Sequence, residues 1–221
     1  MSRTWFVVPV YNEAEVVGEV IRKLREQFPY VVCVDDGSTD GSQQECAKAG
    51  AVVVQHPINL GQGAALQTGF DYALQDPEMT SVVTFDADGQ HRIVDASAMI
   101  DIIDRGEADL VLGSRFLDDR TQVSSMKRLV LRTAALQSRL STGMNLTDAH
   151  NGLRAIGRNV LEQIHLKQNR MAHASELVHQ FASIKPTWVE YPVEILYTDY
   201  SKSKGQSLLN GVNILTDLFV K

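Results

Sequence analysis

The sequence predicts an α/β fold, a mostly parallel central sheet flanked by helices. Two observations carry this. Short apolar runs alternate with amphipathic helical patterns through the first half of the chain, as in successive β-α-β units. In addition, a polar cluster follows each apolar run: Asn12-Glu13, Asp35-Asp36, Asn59, Asp86 to Asp88, and Ser114-Arg115. In parallel sheets ligands bind beyond the carboxyl ends of the strands, so five such clusters outline one site.

The elements follow in order. Trp5 to Pro9 reads as a strand. Glu13 to Gln27 reads as a helix, because Val16, Val17, Val20, Ile21 and Leu24 fall on one face. Val31 to Val34 is the second strand, and Ser42 to Ala49 a helix closed by Gly50. Ala51 to Gln55 is a strand, Gly61 to Leu74 a helix and Ser81 to Phe85 a strand. Ile93 to Arg105 is a helix ending at Gly106, and Asp109 to Leu112 a strand.

The second half is less regular. Leu117 to Ser125 is polar and reads as a mobile loop, Met126 to Leu140 as a helix, and Thr147 to Arg154 as a polar, turn-rich segment. Val160 to Ile164 and Glu176 to Ala182 read as helical, Trp188 to Ile195 as a strand. Ser207 to Val220 patterns as a terminal amphipathic helix whose apolar side would pack on the domain, pair two copies, or dock on a membrane. With no repeat or linker, the 221 residues read as one domain.

A formal charge of -6 leaves no basic excess for nucleic acid, which is set aside as a partner. An acidic protein that binds an acidic ligand needs local cations, so single Arg and Lys residues matter. Cys33 and Cys46 have no metal or redox spacing and read as buried thiols in a reducing compartment. No apolar run approaches the roughly 18 residues of a membrane span. The expectation is a soluble, cytoplasmic protein able to dock peripherally on a membrane or on a membrane-protein partner.

Asp86-Ala87-Asp88, delivered by the strand before it, is the strongest chemical signal. Two close carboxylates repel unless a cation sits beside them, and a hard divalent ion with bound phosphates is the usual partner. A solvated surface turn is the bland alternative, and His91 next to it is by default a solvent-facing loop histidine. Tyr11 and Glu13 suit a nucleobase, by stacking and by accepting an N–H; alternatively Asn12 caps a helix and Glu13 sits in its first turn. Asp35 and Asp36 are either binding groups or part of Asp-Gly turn chemistry. In Asn59-Leu60-Gly61-Gln62-Gly63 two glycines let backbone approach a ligand at a helix start, or serve that start alone. Arg115 suits a phosphate or carboxylate, or pairs with Asp118 or Asp119. Asp148 is a candidate general base toward a hydroxyl, or pairs with Arg154. Lys202 and Lys204, in a Ser- and Gly-containing basic loop, either close over a diphosphate or serve solubility.

Taken in order, these segments resemble the family-2 glycosyltransferases of the nucleotide-diphospho-sugar transferase fold, a Rossmann-like arrangement. The matching residues are Pro9-Val10-Tyr11-Asn12-Glu13, Val34 to Asp40, Asn59-x-Gly61-x-Gly63, Asp86 to His91, Gly113-Ser114-Arg115 and Asp148-x-x-Asn151-Gly152-x-Arg154. Within that family the chain is most similar to the polyprenyl-phosphate (dolichol-phosphate) sugar transferase branch. Gly89 stands where that branch commonly has Leu, and Arg92-Ile93 where it has prolines. Many of its members also carry transmembrane helices.

The resemblance implies a metal-dependent, inverting hexosyl transfer from a UDP- or GDP-sugar to a lipid phosphate or a cell-envelope glycan. Residues 1–115 would hold the donor and 116–221 the acceptor. Pro9, Tyr11, Glu13 and Asp36 would line the nucleobase pocket, with Gly61 and Ala87 beside the donor and Asp86 near ribose and phosphates. Asp88 would ligate Mg2+ or Mn2+, Gln90 would sit by the donor sugar, Arg115 would hold phosphate, and Asp148 would lie near the acceptor. Lys202 and Lys204 would replace an arginine of a closing loop. The rival expectations are a sugar-phosphate nucleotidyltransferase and a non-catalytic nucleotide-sugar-binding subunit.

Overall fold

Seven strands form one sheet in a computed structural model that describes residues 2–118 and 125–196, the side chains of 125–130, 132 and 134 excepted. The strands are β1 (Thr4–Val10), β2 (Tyr30–Asp35), β3 (Val52–Gln55), β4 (Ser81–Thr84), β5 (Leu110–Ser114), β6 (Arg154–Gly157) and β7 (Trp188–Pro192). The helices are α1 (Val17–Arg25), α2 (Ser42–Lys48), α3 (Gln62–Leu74), α4 (Ile93–Asp104), α5 (Ser125–Thr142), α6 (Arg158–Leu161) and α7 (His173–Ile184). The strand order is β3-β2-β1-β4-β6-β5-β7. All ladders are parallel except those of β6, which runs against both β4 and β5.

Alternation along the strands divides the core between the two faces. Phe6, Val8, Cys33, Val83 and Val111 join Ile21, Leu24 and Met99 of α1 and α4. Trp5, Val7, Val32, Val34 and Leu112 join Leu66, Phe70, Leu177 and Phe181 of α3 and α7. Ile21 and Leu24 are fully enclosed, each contributing roughly 1.5–3 kcal/mol by leaving water. Both cysteines are free and buried as expected. A hydrogen bond with Cys46, then burial, holds the Cys33 thiol well above its usual range.

Three predicted elements differ. The first helix begins at Val17, four residues late. Asn12 is left-handed (φ 54°) rather than a helix cap, and residues 12–14 are stitched to the loop after β2 instead. Asn12 N donates to Ser38 Oγ (2.9 Å), Glu13 N to Ser42 Oγ (2.7 Å), and Ala14 N to Asp40 Oδ2 (3.0 Å). The Asp-Gly-Ser-Thr-Asp-Gly-Ser run is therefore a scaffold for the loop after β1. Second, the turn-rich segment at 147–154 ends in β6, whose four residues were too few to show a strand period. Third, β7 stops at Pro192, and beyond it Ile195 bridges to His91. Most of the loop expected at 117–125, with Lys202, Lys204 and the terminal helix, lies outside the described residues. Among the described residues, no helix is long and apolar enough to cross a membrane.

Candidate active site

A cleft of about 500 Å3 opens at the carboxyl ends of β1, β2 and β4. Pro9, Tyr11, Glu13, Asp36, Gly61, Asp86, Ala87 and Asp88 all line it. The structure thus brings these eight together, while Gln90, expected by the donor sugar, is not among the residues that line the cleft. A second open groove, about 630 Å3, lies between the loop after β2 and α2 and holds none of them.

Asp36 is buried and well used. Its Oδ1 accepts from Leu60 N (2.9 Å) and His56 Nδ1 (2.7 Å), and its Oδ2 from Gly61 N (2.7 Å). Donation from Nδ1 leaves His56 Nε2 to accept from Thr68 Oγ1 at 2.9 Å. Three acceptor sites of the carboxylate hold the turn into α3, which leaves one lone pair of Oδ2 for a base. Its neighbour Asp35 points to the other face of the sheet, fully buried, with Oδ2 enclosed and unpartnered.

The glycines at the start of α3 answer to this chain before any ligand. A Cβ on Gly61 would lie 2.2 Å from Asn169 O, and one on Gly63 2.1 Å from Gln168 O. Asn169 O accepts from Gly63 N (2.8 Å) and Ala64 N (3.4 Å), so the start of this helix is capped by backbone. Of the two readings of these glycines, this geometry accords with the helix start. Arg170 and Met171 follow directly and form part of the cleft wall. Sequence reasoning missed both, although Lys167 to Arg170 is a polar, basic break between two apolar segments.

The acidic pair divides its work. Asp86 Oδ2 accepts from His91 Nε2 (2.9 Å) and Oδ1 from Gln62 Nε2 (3.3 Å). Burial pushes the Asp86 carboxyl up, but His91, then Arg154 and His173, outweigh it and hold it below the usual range. His91 is itself buried, with Nδ1 enclosed and unpartnered, which overturns the solvent-facing expectation. Asp88 is pushed up to about 6, first by burial and then by the neighbouring Asp86. Gln90 N donates to Asp88 Oδ1 (3.0 Å), and Gln90 O accepts from Leu196 N (2.9 Å), which ties the catalytic loop to the chain after β7.

Arg115 and Asp148 meet each other. Arg115 Nε donates to Asp148 Oδ2 (2.6 Å), Nη2 to Oδ1 (2.7 Å), and the backbone N to Oδ2 (3.2 Å). Burial opposes ionisation of Asp148, but the guanidinium outweighs it and keeps the carboxyl below its usual range. Of the pairings weighed from sequence, that of Asp148 with Arg154 gives way to this fork, and Asp119 lies outside the described residues. Both carboxylate oxygens of Asp148 are thereby engaged by Arg115. Glu190, which sequence reasoning also missed, accepts from Thr147 N (2.8 Å) and Asp148 N (3.2 Å) and so places the fork. The signal available was an acid inside an apolar strand, Trp188-Val189-Glu190-Tyr191. Arg154 is buried, and desolvation draws it down to about 10 against the pull of Asp86 and then Asp148.

Among the described residues no group of three or more His, Cys, Asp or Glu forms a metal cage. The donor set still suits a hard divalent cation, which takes one or two carboxylates and completes its shell from substrate phosphates. The repulsion that raises Asp88 is what such a cation would relieve.

The family model for glycosyl transferase family 2 matches residues 5–165. The polyprenol monophosphomannose synthase of Mycolicibacterium smegmatis is 32% identical over 229 residues, covering 99% of this chain and 85% of that protein.

 The UDP-N-acetylglucosamine--dolichyl-phosphate N-acetylglucosaminyltransferase of Methanococcus voltae is 26% identical over 238 residues, covering 98% of this chain and 94% of that protein. The same fold is found in glucosyl-3-phosphoglycerate synthase from Mycobacterium tuberculosis, solved with Mn2+ and UDP-glucose. It has a TM-score of 0.69 and 19% identity, over 95% of this chain and 79% of that one. The extent of the family match sets aside the nucleotidyltransferase reading, and the chain belongs to glycosyl transferase family 2.

Proposed function

We propose that this chain transfers a hexosyl group from a nucleotide diphosphate sugar to a polyprenyl-phosphate-type lipid carrier, with inversion at the anomeric carbon. The observation that carries the reading is the division of the site. An acidic donor cleft stands on one side, and a clamped Arg115–Asp148 pair on the other. The names of the two relatives support the same donor and acceptor classes.

The nucleoside would lie along Pro9, Tyr11 and Asp36, with its diphosphate toward Asp86 and Asp88. Asp88, with donor phosphate oxygens, would hold Mg2+ or Mn2+, which supplies Lewis-acid neutralisation of the leaving diphosphate. Asp86, fixed by His91 and Gln62, orients the donor from the same loop. Gln90 stands beside Asp88 at the sugar end. A lipid phosphate is already an anionic nucleophile and needs no base. Its oxygen forms the new bond to the anomeric carbon as the bond to the diphosphate breaks, and the nucleoside diphosphate leaves. Asp148, kept ionised and engaged by Arg115, suits this acceptor better than a glycan hydroxyl, whose proton would need a base. Arg115 is the cation placed to meet the acceptor's charge.

Calorimetry with UDP and GDP, each with and without Mn2+, tests the donor side. Transfer of label from UDP- or GDP-hexoses to polyprenyl phosphate in liposomes tests the acceptor side. Metal-dependent nucleotide binding with transfer to the lipid is expected. Binding without transfer would return the non-catalytic subunit, and transfer to a hydroxyl acceptor alone would exclude the lipid.

A further inference from the structure

The donor cleft has a charge problem. Glu13, Asp36, Asp86 and Asp88 line it, and among the described residues that do, Arg170 is the one basic side chain. A nucleoside diphosphate brings further negative charge. One divalent cation on Asp88 leaves that balance short, and a second cation from the protein would offset it.

Arg170 is mounted for such work. On one side Asn169 O is held by Gly63 N at 2.8 Å. On the other, the Arg170 carbonyl accepts from His173 N (3.0 Å) and from His173 Nδ1 (2.8 Å). His173 is buried, and desolvation draws it down to about 4, so it serves this bond as a neutral donor near pH 7. The backbone is fixed at both ends of the residue. Among the described residues, the guanidinium itself makes no hydrogen bond or ion pair.

Its place along the cleft narrows its partner. A Cβ on Gly61 would lie 3.0 Å from Arg170 Cγ, so the side chain crosses the cleft wall at Gly61. Gly61 N bonds Asp36 at the base end, and the next residue, Gln62, bonds Asp86 at the phosphate end. Arg170 is therefore carried beside Gly61, between the Asp36 end and the Asp86 end of the cleft. A guanidinium presents a rigid fork of donors that matches phosphate oxygens in pairs.

We infer that Arg170 binds the donor's diphosphate from the wall opposite the acidic loop. The glycines at 61 and 63 leave room for the strap that carries it. The inference rests on the nucleotide-sugar reading and adds a donor-binding residue to it.

The test is titration calorimetry on the whole chain, using UDP, GDP and the two free nucleosides, with Mn2+ present. Arg170→Ala is expected to weaken diphosphate binding about tenfold, near 1.4 kcal/mol, while nucleoside binding changes less than about twofold. Arg170→Lys should recover part of the loss. Gly63→Ala, which displaces the strap through Gln168 O, should weaken the diphosphate in the same direction, with folding of each variant checked by thermal melting. Wild-type affinity for the diphosphate in a folded Arg170→Ala would overturn the inference, as would an equal loss for nucleoside and diphosphate. If the wild-type chain binds neither diphosphate, the nucleotide-sugar reading itself fails, which is a different result.

Discussion

Arg115 and Asp148 form a two-bond fork, 2.6 and 2.7 Å, between side chains that are 11% and 1% exposed. Charges that far from water are held by their partners, and removing one member of a buried pair costs the other its fork. Arg115→Met or Asp148→Leu alone should therefore lower stability by about 3–5 kcal/mol, and the double variant should recover much of that. Urea denaturation of the four proteins measures it. The Asp148 carboxyl is depressed in the fold, so its contribution is present above its unfolded value. It is lost as pH falls through the lower folded value.

The same depression makes a kinetic statement. The transfer rate should show no inflection from Asp148 between pH 5 and 8. A rising limb near neutrality that disappears in Asp148→Asn would identify Asp148 as the base and point to a hydroxyl acceptor.

Asp88 titrates the other way, near 6 rather than 3.8. Its charge costs the folded chain stability as pH rises through that window, and the cost is complete above it. The gap is at most roughly 3 kcal/mol at 1.36 per pH unit, and less because the cleft admits water. Without metal, Asp88→Asn should melt higher than wild type at pH 7.5 and equal to it near pH 3.5. With Mn2+ and nucleotide at pH 7.5, wild type alone should gain stability. Its metal affinity should fall as pH drops below about 6, since protons and metal compete for the carboxylate.

Gly152 lies against the donor acids. A Cβ there would lie 2.5 Å from Asp86 Oδ2 and 3.2 Å from His91 Nε2. Gly152→Ala should fold, yet displace Asp86 and raise the donor KM several-fold. Steady-state kinetics over donor concentration would show it, and an unchanged KM would remove Asp86 from donor positioning.

Glu190 holds the backbone of Thr147 and Asp148. Glu190→Ala strands those N–H groups, at a cost of about 1–3 kcal/mol, and should weaken the acceptor more than the donor. Glu190→Gln keeps an acceptor oxygen and should be milder on both counts in denaturation and acceptor-titration assays.

The donor side was legible because each of its acids follows an apolar run in the strand-helix alternation of the first half. Tyr11 to Glu13 follows β1 and Asp86 to Asp88 follows β4, so locating those runs located the cleft. What these groups touch was not legible. The partner of Asp148 is 33 positions away in sequence, and the burial of His91 depends on the chain beyond β7. Arg170 was missed because its place comes from packing against α3, which no local period encodes. Asp40 and Ser42 stand at the start of α2 in sequence yet brace a neighbouring loop, since the same hydroxyl and carboxylate groups can cap a helix or hold a turn.

The reversed strand β6 makes the acceptor side unusually sensitive to length. Arg154 opens it, opposite Thr84 on one side and Leu112 on the other. Neighbouring residues of a strand face opposite sides of a sheet, so a shift of one position exchanges the faces. Loss of one residue between Asn151 and Arg154 would threaten to send that cation toward the apolar layer under α4 and put Ala155 beside the carboxylates. Relatives of this chain can be expected to vary the loops on either side of this stretch in length far more readily than the stretch itself.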